Sequence, residues 1–420
     1  MAFAVALLVA GGVLWTLKEL LDVHRLKTEP DLSSETLFDL LKLSFGVVAG
    51  SGALVALVVA YRRQRVDEDG ALREATRLHT ERFTTAVGEL GDSSAAVRLG
   101  GVHALSGLAD DAPTDELRQT CIDVLCAYLR LPYTSDPGSD DQHARHEYLA
   151  LREVRHTIIR LIRDHLRPPC TPDARHTIIQ RIHNYRRGGK NPRSWQGHDF
   201  DFTNVVFDGG SWSQAQFSAG QVSFDDARFT GSDATFEGAQ FSGSRVSFHD
   251  ARFASDQVSF RDAQFTKGEV SFHDARFERG HVIFKDAQFS GGKVSFHDAL
   301  FNGGQVRFYD ARFTGSEVTF KGARFIDGEV SFRDAQFIEG EVSFHASQFT
   351  GSRVSFHEAQ FTSGRVSFPS AQFSKGQVDL RCASGNAPQD LPTDRGAIPS
   401  GCLLLPERWF RQADGGSSGE

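Results

Sequence analysis

From Ala215 to about Leu380 apolar side chains recur with a twelve-residue period, as in the consecutive units AQFSAGQVSFDD, ARFTGSDATFEG and AQFSGSRVSFHD. One phenylalanine column is Phe217, Phe229, Phe241 and so on to Phe373. The other is Phe224, Phe236, Phe248 and so on to Phe368, with Leu380 in the next slot. The gaps alternate 7 and 5, and the residue two before each Phe is small and apolar: Ala in the first column, mostly Val in the second. Alternation along an extended chain turns both members of each A-x-F or V-x-F to one side. The pattern predicts short five-residue faces around an apolar core, with every second corner lengthened by two residues, often Gly or Ser (Gly291-Gly292, Gly303-Gly304, Gly351-Ser352).

Phe202, Phe207, Trp212 and Phe217 keep a strict spacing of 5, which predicts an ordinary four-sided, twenty-residue coil at the start. If four faces persist, each later coil is made of two twelve-residue units, a twenty-four-residue turn. The outward residues agree: Arg228, Gln240, Arg252, Gln264, Arg276 and Gln288 alternate, and His249, His273 and His297 alternate with Arg261 and Lys285. A flattened twelve-residue coil is the rival reading, but two Phe rings with Val and Ala crowd so thin a core. A solenoid must close its ends against edge pairing, and the 195–202 stretch is a candidate N-terminal cap. The Gly/Pro/Ser-rich segment 383–420 is expected to be a flexible tail, apart from the apolar patches Leu403–Leu405 and Trp409-Phe410.

The N-terminal part has a different pattern. Residues 1–17 and 43–61 carry no charge and are long enough to cross ~30 Å of hydrocarbon as helices, which predicts a transmembrane hairpin within 1–66. A signal peptide is the rival for the first run, which lacks a basic leader. Arg62, Arg63 and Arg65 come directly after the second run and favour a cytoplasmic location for the downstream chain. Gly46 and Gly50 form a GxxxG pair that suits close approach of the first span or of a second copy, which allows a homodimer.

Residues 67–186 read as an α-helical module. Leu72, Ala75, Thr76, His79 and Phe83 have helical spacing before breaks at Gly88 and Gly91. Val97, Gly101, Ala104, Leu105 and Leu108 mark a second helix with Ser93 or Ser94 as its cap. Leu117, Cys121, Val124, Leu125, Tyr128 and Leu129 mark a third. The second of these is HEAT-like in spacing. Arg155–Ile159 recurs as Arg175–Ile179 across prolines, and a basic linker, 187–199, precedes the repeats.

Composition adds selectivity: 35 Phe against 1 Met and 6 Tyr, with 40 Gly, means one geometric slot filled repeatedly. The net charge of -8 argues against a general nucleic-acid binder. Cys121, Cys126, Cys170, Cys382 and Cys402 are scattered without a CxxC pair, so they form neither a disulfide framework nor a zinc motif, and a reducing compartment fits.

The A-x-F-x-x and V-x-F-x-x faces of 202–380 resemble the pentapeptide-repeat family, departing from it in their 5-plus-7 spacing. With VRLGGVHALSGLADD and RQTCIDVLCAYLRLPY ahead of the repeats, the layout is similar to membrane-linked pentapeptide-repeat proteins of actinobacteria. The resemblance implies a right-handed quadrilateral β-solenoid over 200–382 and a membrane-anchored α + β chain with no catalytic residues to carry over.

The pairs His249-Asp250, His273-Asp274 and His297-Asp298 are the one constellation with metal-binding chemistry. Adjacent residues on a strand point to opposite sides, and Lys321 interrupts the column, so a solvated surface ladder is expected. No catalytic, cofactor-binding or metal residue is assigned, and no cofactor. No phosphate loop, nucleophile elbow or HExxH motif occurs. The expectation is a non-catalytic scaffold in the cell membrane, multi-pass, with the bulk of the chain cytoplasmic. Its partners would be the membrane and an unknown protein, with neither nucleic acid nor a small-molecule substrate. The alternative is a DNA-mimicking rod that binds topoisomerases, which requires a continuously acidic face.

Overall fold

The structure, a computed structural model, describes Trp15 and residues 34–134, 138, 142–168, 193–278, 280–391 and 400–410. The chain divides into two compact units, Met1–Leu78 and His79–Glu420.

Helix α1 (Ser34–Leu90) is 57 residues long. The predicted second span, 43–61, is therefore not a separate element ending at Tyr61. The helix continues through the charged stretch because nothing there breaks it. Gln64 Nε2 donates to Glu68 (2.9 Å) and Arg77 pairs with Glu74 (2.8 Å), side-chain pairs at helical spacing. No helix among the described residues is long and apolar enough to cross a membrane, so the predicted hairpin is not found. Its first member, 1–17, lies outside the described residues apart from Trp15. Leu54, Leu57, Val58 and Val59 are exposed on α1. The predicted break at Gly88 falls inside the helix, which stops at Gly91 instead.

In the second unit the end of α1 packs with α2 (Ala95–Asp110), α3 (Asp115–Arg130) and α4 (Gln142–Leu166). Thr114 caps α3 by accepting from Leu117 N at 3.3 Å, and Asp115 and Glu116 occupy its first turn, where carboxylates favour the helix dipole. Gly101 permits the crossing of α1 and α2: a Cβ there would lie 2.6 Å from Leu90 N. The buried face of α2 includes Gly101, Leu105 and Leu108 of the predicted set, with Val102 and Ala109 beside them, whereas Val97 is 39% exposed. On α4, Arg155, Thr157, Ile158 and Ile159 are buried; the second copy of that sequence, 175–179, and Cys170 lie outside the described residues.

Among the described residues from Phe200 onward every pairing between strands is parallel, in two 8-stranded sheets and one 13-stranded sheet. Residue i pairs with i+24, as in Gln264↔Gln288 and Glu269↔Lys293. One coil is therefore two twelve-residue units, and the flattened coil of a single unit is excluded. The opening coil pairs i with i+22 rather than i+20, Phe200 with Val222 and Val206 with Arg228, because the corner between Phe217 and Phe224 is already lengthened. The 13-stranded sheet covers two faces because strands such as Arg228–Thr235, Leu300–Arg307 and Arg324–Ser331 run unbroken round one long corner. At another long corner Gly340 has φ 90°, and a Cβ on it would lie 2.3 Å from Ser316 O.

The two phenylalanine columns of the sequence become four in space. Phe224, Phe248 and Phe272 stack at 4.7 and 4.8 Å, and Phe236, Phe260 and Phe284 at 4.8 and 4.9 Å on the opposite face. Across the core these two columns meet edge to face, Phe248 and Phe260 at 6.1 Å and 86°. The rung spacing of a parallel sheet, ~4.8 Å, sets the ring separation, and offset stacking contributes about 0.5–1.5 kcal/mol per pair beyond burial. The small inward Ala and Val are buried as far as Ala359 and Val378, with Ala371 at the last coil partly buried, leaving room for the rings.

Both ends are closed. At the first coil, Trp195 is fully buried and stacks on His165 at 4.2 Å, while Gln119 on α3 exchanges hydrogen bonds with the Asp199 backbone (2.8 and 3.0 Å). At the far end the expected flexible tail is corrected at its start, and the two apolar patches excepted from it pack on the rod. Ala383 is buried, Ser384–Gly385 pairs with Gln360 and Phe361, and Leu403–Leu404 pairs with Val378 and Asp379. Trp409 then lies edge-on to Phe361 at 6.0 Å and donates its indole N–H to Gly385 O at 3.2 Å. The apolar residues of 403–410 thus cover edges that would otherwise be open. Residues 392–399 and 411–420 lie outside the described residues.

Candidate functional site

Each short corner is a β-turn. After Phe224 the chain passes through Asp225 and Asp226, and Ala227 N donates back to Phe224 O at 3.1 Å. The third turn residue takes positive φ: 56° at Asp226, 54° at Asp250, 55° at Asp274 and 53° at Asp298. Aspartate tolerates this region better than most side chains, which explains its recurrence there. The serine before most phenylalanines of the second column has a matching role. The Ser271 hydroxyl accepts from His273 N (3.3 Å) and that of Ser295 from His297 N (3.3 Å), satisfying an N–H that the turn leaves free.

This turn corrects the expectation that histidine and aspartate diverge. They occupy consecutive turn positions, not strand positions, and they converge. His249 Nδ1 lies 3.0 Å from Asp250 Oδ2, and His273 Nδ1 lies 2.9 Å from Asp274 Oδ2. Across rungs, His249 Nε2 is 3.8 Å from the same Asp274 oxygen. The rings stack, His249 on His273 at 5.0 Å and His273 on His297 at 4.7 Å. Rung hydrogen bonds hold the turns in step: Asp250 N donates to His273 O and Asp274 N to His297 O, both at 3.0 Å. Lys321 occupies the next rung, as the sequence places it.

The opposite short corner is compensated within single rungs at several places. Arg261 pairs with Asp262 (3.4 Å) and Arg333 with Asp334 (3.2 Å). On the face leading to the histidines, charges pair between rungs, Arg245 with Glu269 at 3.4 Å and Lys293 with Glu317 at 3.0 Å.

A second polar cluster, which the sequence does not announce, joins the helices to the first coil. Asp208 is 8% exposed and accepts from Tyr133 Oη (3.2 Å), Arg152 Nε (3.1 Å) and Tyr148 Oη. Burial, with the Asp208 charge second, pushes the Tyr133 hydroxyl well above its usual range. Arg155 is buried, donates to Leu129 O and Val206 O at 2.8 Å each, and lies over the Tyr133 ring at 4.3 Å. Burial lowers its pKa to about 10, so it stays charged at neutral pH. Asp208 fills the outward slot held by Thr230 and Glu278 on the same face of later coils, so only the cover supplied by α4 distinguishes it.

His165 lies between Leu161 O (2.6 Å) and Asp110 (3.3 Å). Burial opposes its protonation, but the hydrogen bonds and charge of Asp110 outweigh this and raise its pKa. Its contribution to stability is fully present below the unfolded value of about 6.5 and is lost as pH rises through the higher folded value. His165→Gln is therefore expected to lower the urea midpoint more at pH 5.5 than at pH 8; an equal loss at both would contradict the pairing. Cys121 and Cys126 are buried free thiols, raised by burial to about 11 and about 12, and Cys382 is exposed.

The geometry defines a four-faced parallel β-solenoid whose outer edges carry ladders of like residues. Residues 236–288 match a family model described as pentapeptide repeats (9 copies). A solved structure of QnrB1, described as a plasmid-mediated fluoroquinolone resistance protein, matches over 54% of this chain and 92% of that chain, at 13% identity and a TM-score of 0.18. No curated protein matches the chain.

Proposed function

We propose that the protein is a non-catalytic scaffold whose rod presents stacked side-chain ladders to a protein partner, and that it is held at the cytoplasmic face of a membrane. The observation that carries the scaffold reading is the i to i+24 register. It repeats each outward position once per coil on a rigid surface, as in Arg245, Glu269, Lys293 and Glu317 along one face. Membrane attachment rests on the uncharged run 43–61 and the exposed Leu54, Leu57, Val58 and Val59, apolar surface that water does not favour. A DNA mimic would need an unbroken acidic face, and on this face cations alternate with carboxylates.

The test is co-purification of the full chain from native membranes beside a variant carrying Glu269→Lys, Glu317→Lys and Glu341→Lys. A specific protein present with the wild type and absent with the variant supports the scaffold. Identical sets from both would count against it, and a topoisomerase among the proteins lost would favour the mimic.

A further inference from the structure

We infer that the histidine corner binds one divalent transition-metal ion of the zinc class, through His249, His273 and Asp274. Their donor atoms lie within 4.8 Å of one another. The Asp274 oxygen stands between the two rings, 2.9 Å from His273 Nδ1 and 3.8 Å from His249 Nε2. His273 Nδ1 is buried, and its approach to Asp274 lacks hydrogen-bond geometry, so it has no hydrogen-bond partner. It is a nitrogen close to a carboxylate, with its lone-pair or proton position unused.

Zinc–nitrogen and zinc–oxygen distances of about 2.0–2.2 Å place donors about 3.3 Å apart in a tetrahedron. Side-chain rotation alone closes the gap here, since all three side chains lie on turns and are partly exposed (46% for His249, 34% for His273, 43% for Asp274). Imidazole with one carboxylate selects zinc, nickel or cobalt over magnesium or calcium. The carboxylates of Asp225, Asp226, Asp250 and Asp298 line the same edge and add negative charge, until Lys321 ends it. A second triad, His273, His297 and Asp298, shares His273, but its Asp298 is exposed and lies 3.6 Å from His297 Nε2. The first triad is therefore the better formed. An ion there joins two successive coils and leaves an open coordination position on the outer edge.

The experiment titrates the full chain with Co2+, reading the visible d–d bands, and then displaces the cobalt with Zn2+. One Co2+ per chain is expected, with binding weakened about tenfold or more by His273→Gln and by Asp274→Asn. His345→Gln, in the same column beyond Lys321 and followed by Ala346, should leave binding unchanged, and Asp298→Asn should weaken it less than Asp274→Asn does. Melting curves without metal confirm that each variant is folded. Absence of d–d bands in the wild type, equal binding by His273→Gln, or a loss with Asp298→Asn in place of Asp274→Asn would each overturn the assignment.

Discussion

Phe272→Ala is expected to destabilise the rod by about 3–5 kcal/mol, measured by denaturant unfolding. Phe272 is fully buried; its ring stacks at 4.8 Å on both Phe248 and Phe296 and meets the edges of Phe260 and Phe284 at 5.9 and 6.2 Å. Truncation removes the burial of a large ring and leaves a cavity that the neighbouring rings, fixed by their strands, cannot fill. The loss should also be local. Each coil contacts only its neighbours, so hydrogen exchange should quicken around 248–296 before it does at the ends. Phe373, at the last full coil, is 7% exposed and has a stacking partner on one side only, Phe349 at 5.0 Å. Phe373→Ala should cost about half as much. A loss below about 1 kcal/mol for Phe272→Ala would contradict a close-packed aromatic core.

The second large effect lies at the junction of helices and rod. Asp208→Ala is expected to cost about 2–4 kcal/mol, because two tyrosine hydroxyls and Arg152 lose a charged acceptor together. Asp208→Asn keeps an acceptor and should cost about half of that. The helical module should loosen first in the alanine variant, since the same residue orders Tyr133 and Tyr148. Unchanged stability in both variants would mean that the junction is held by its apolar contacts alone.

The rod was legible in the sequence because its core has a single inward slot repeated at fixed spacing. That spacing gave the four faces, and the alternation of His249 with Arg261 gave the coil of two units. The corners were not legible in the same way. The sequence pointed to glycine for positive φ at the lengthened corners, where Gly291, Gly303 and Gly340 take it, but gave no such reading for the short corners, most of which use aspartate, which takes that conformation while also carrying charge. Missing this put His273 and Asp274 on a strand and kept apart two side chains that the turn brings to 2.9 Å. The tail was read as flexible outside the apolar patches at Leu403–Leu405 and Trp409-Phe410 because the pairing of Ser384–Gly385 with Gln360 and Phe361 is a long-range contact without local periodicity. Asp208 was invisible because its burial comes from another element. The apolar run 43–61 looked like a separate span because hydropathy ends at Tyr61, while helical propensity does not.

The register itself is open to direct test by cysteine cross-linking of the full chain, with exposed Cys382 changed to serine. Arg245 and Glu269, at i and i+24, are paired across adjacent rungs, whereas Arg245 and Gln257, at i and i+12, lie on different sheets. Paired positions on neighbouring parallel strands fall within the Cα range of about 4.4–6.8 Å that a disulfide spans. Arg245→Cys with Glu269→Cys is expected to oxidise readily to an intramolecular disulfide, and Arg245→Cys with Gln257→Cys to remain reduced. The reverse result would mean a coil of one twelve-residue unit and would contradict the four-faced rod on which the ladders depend.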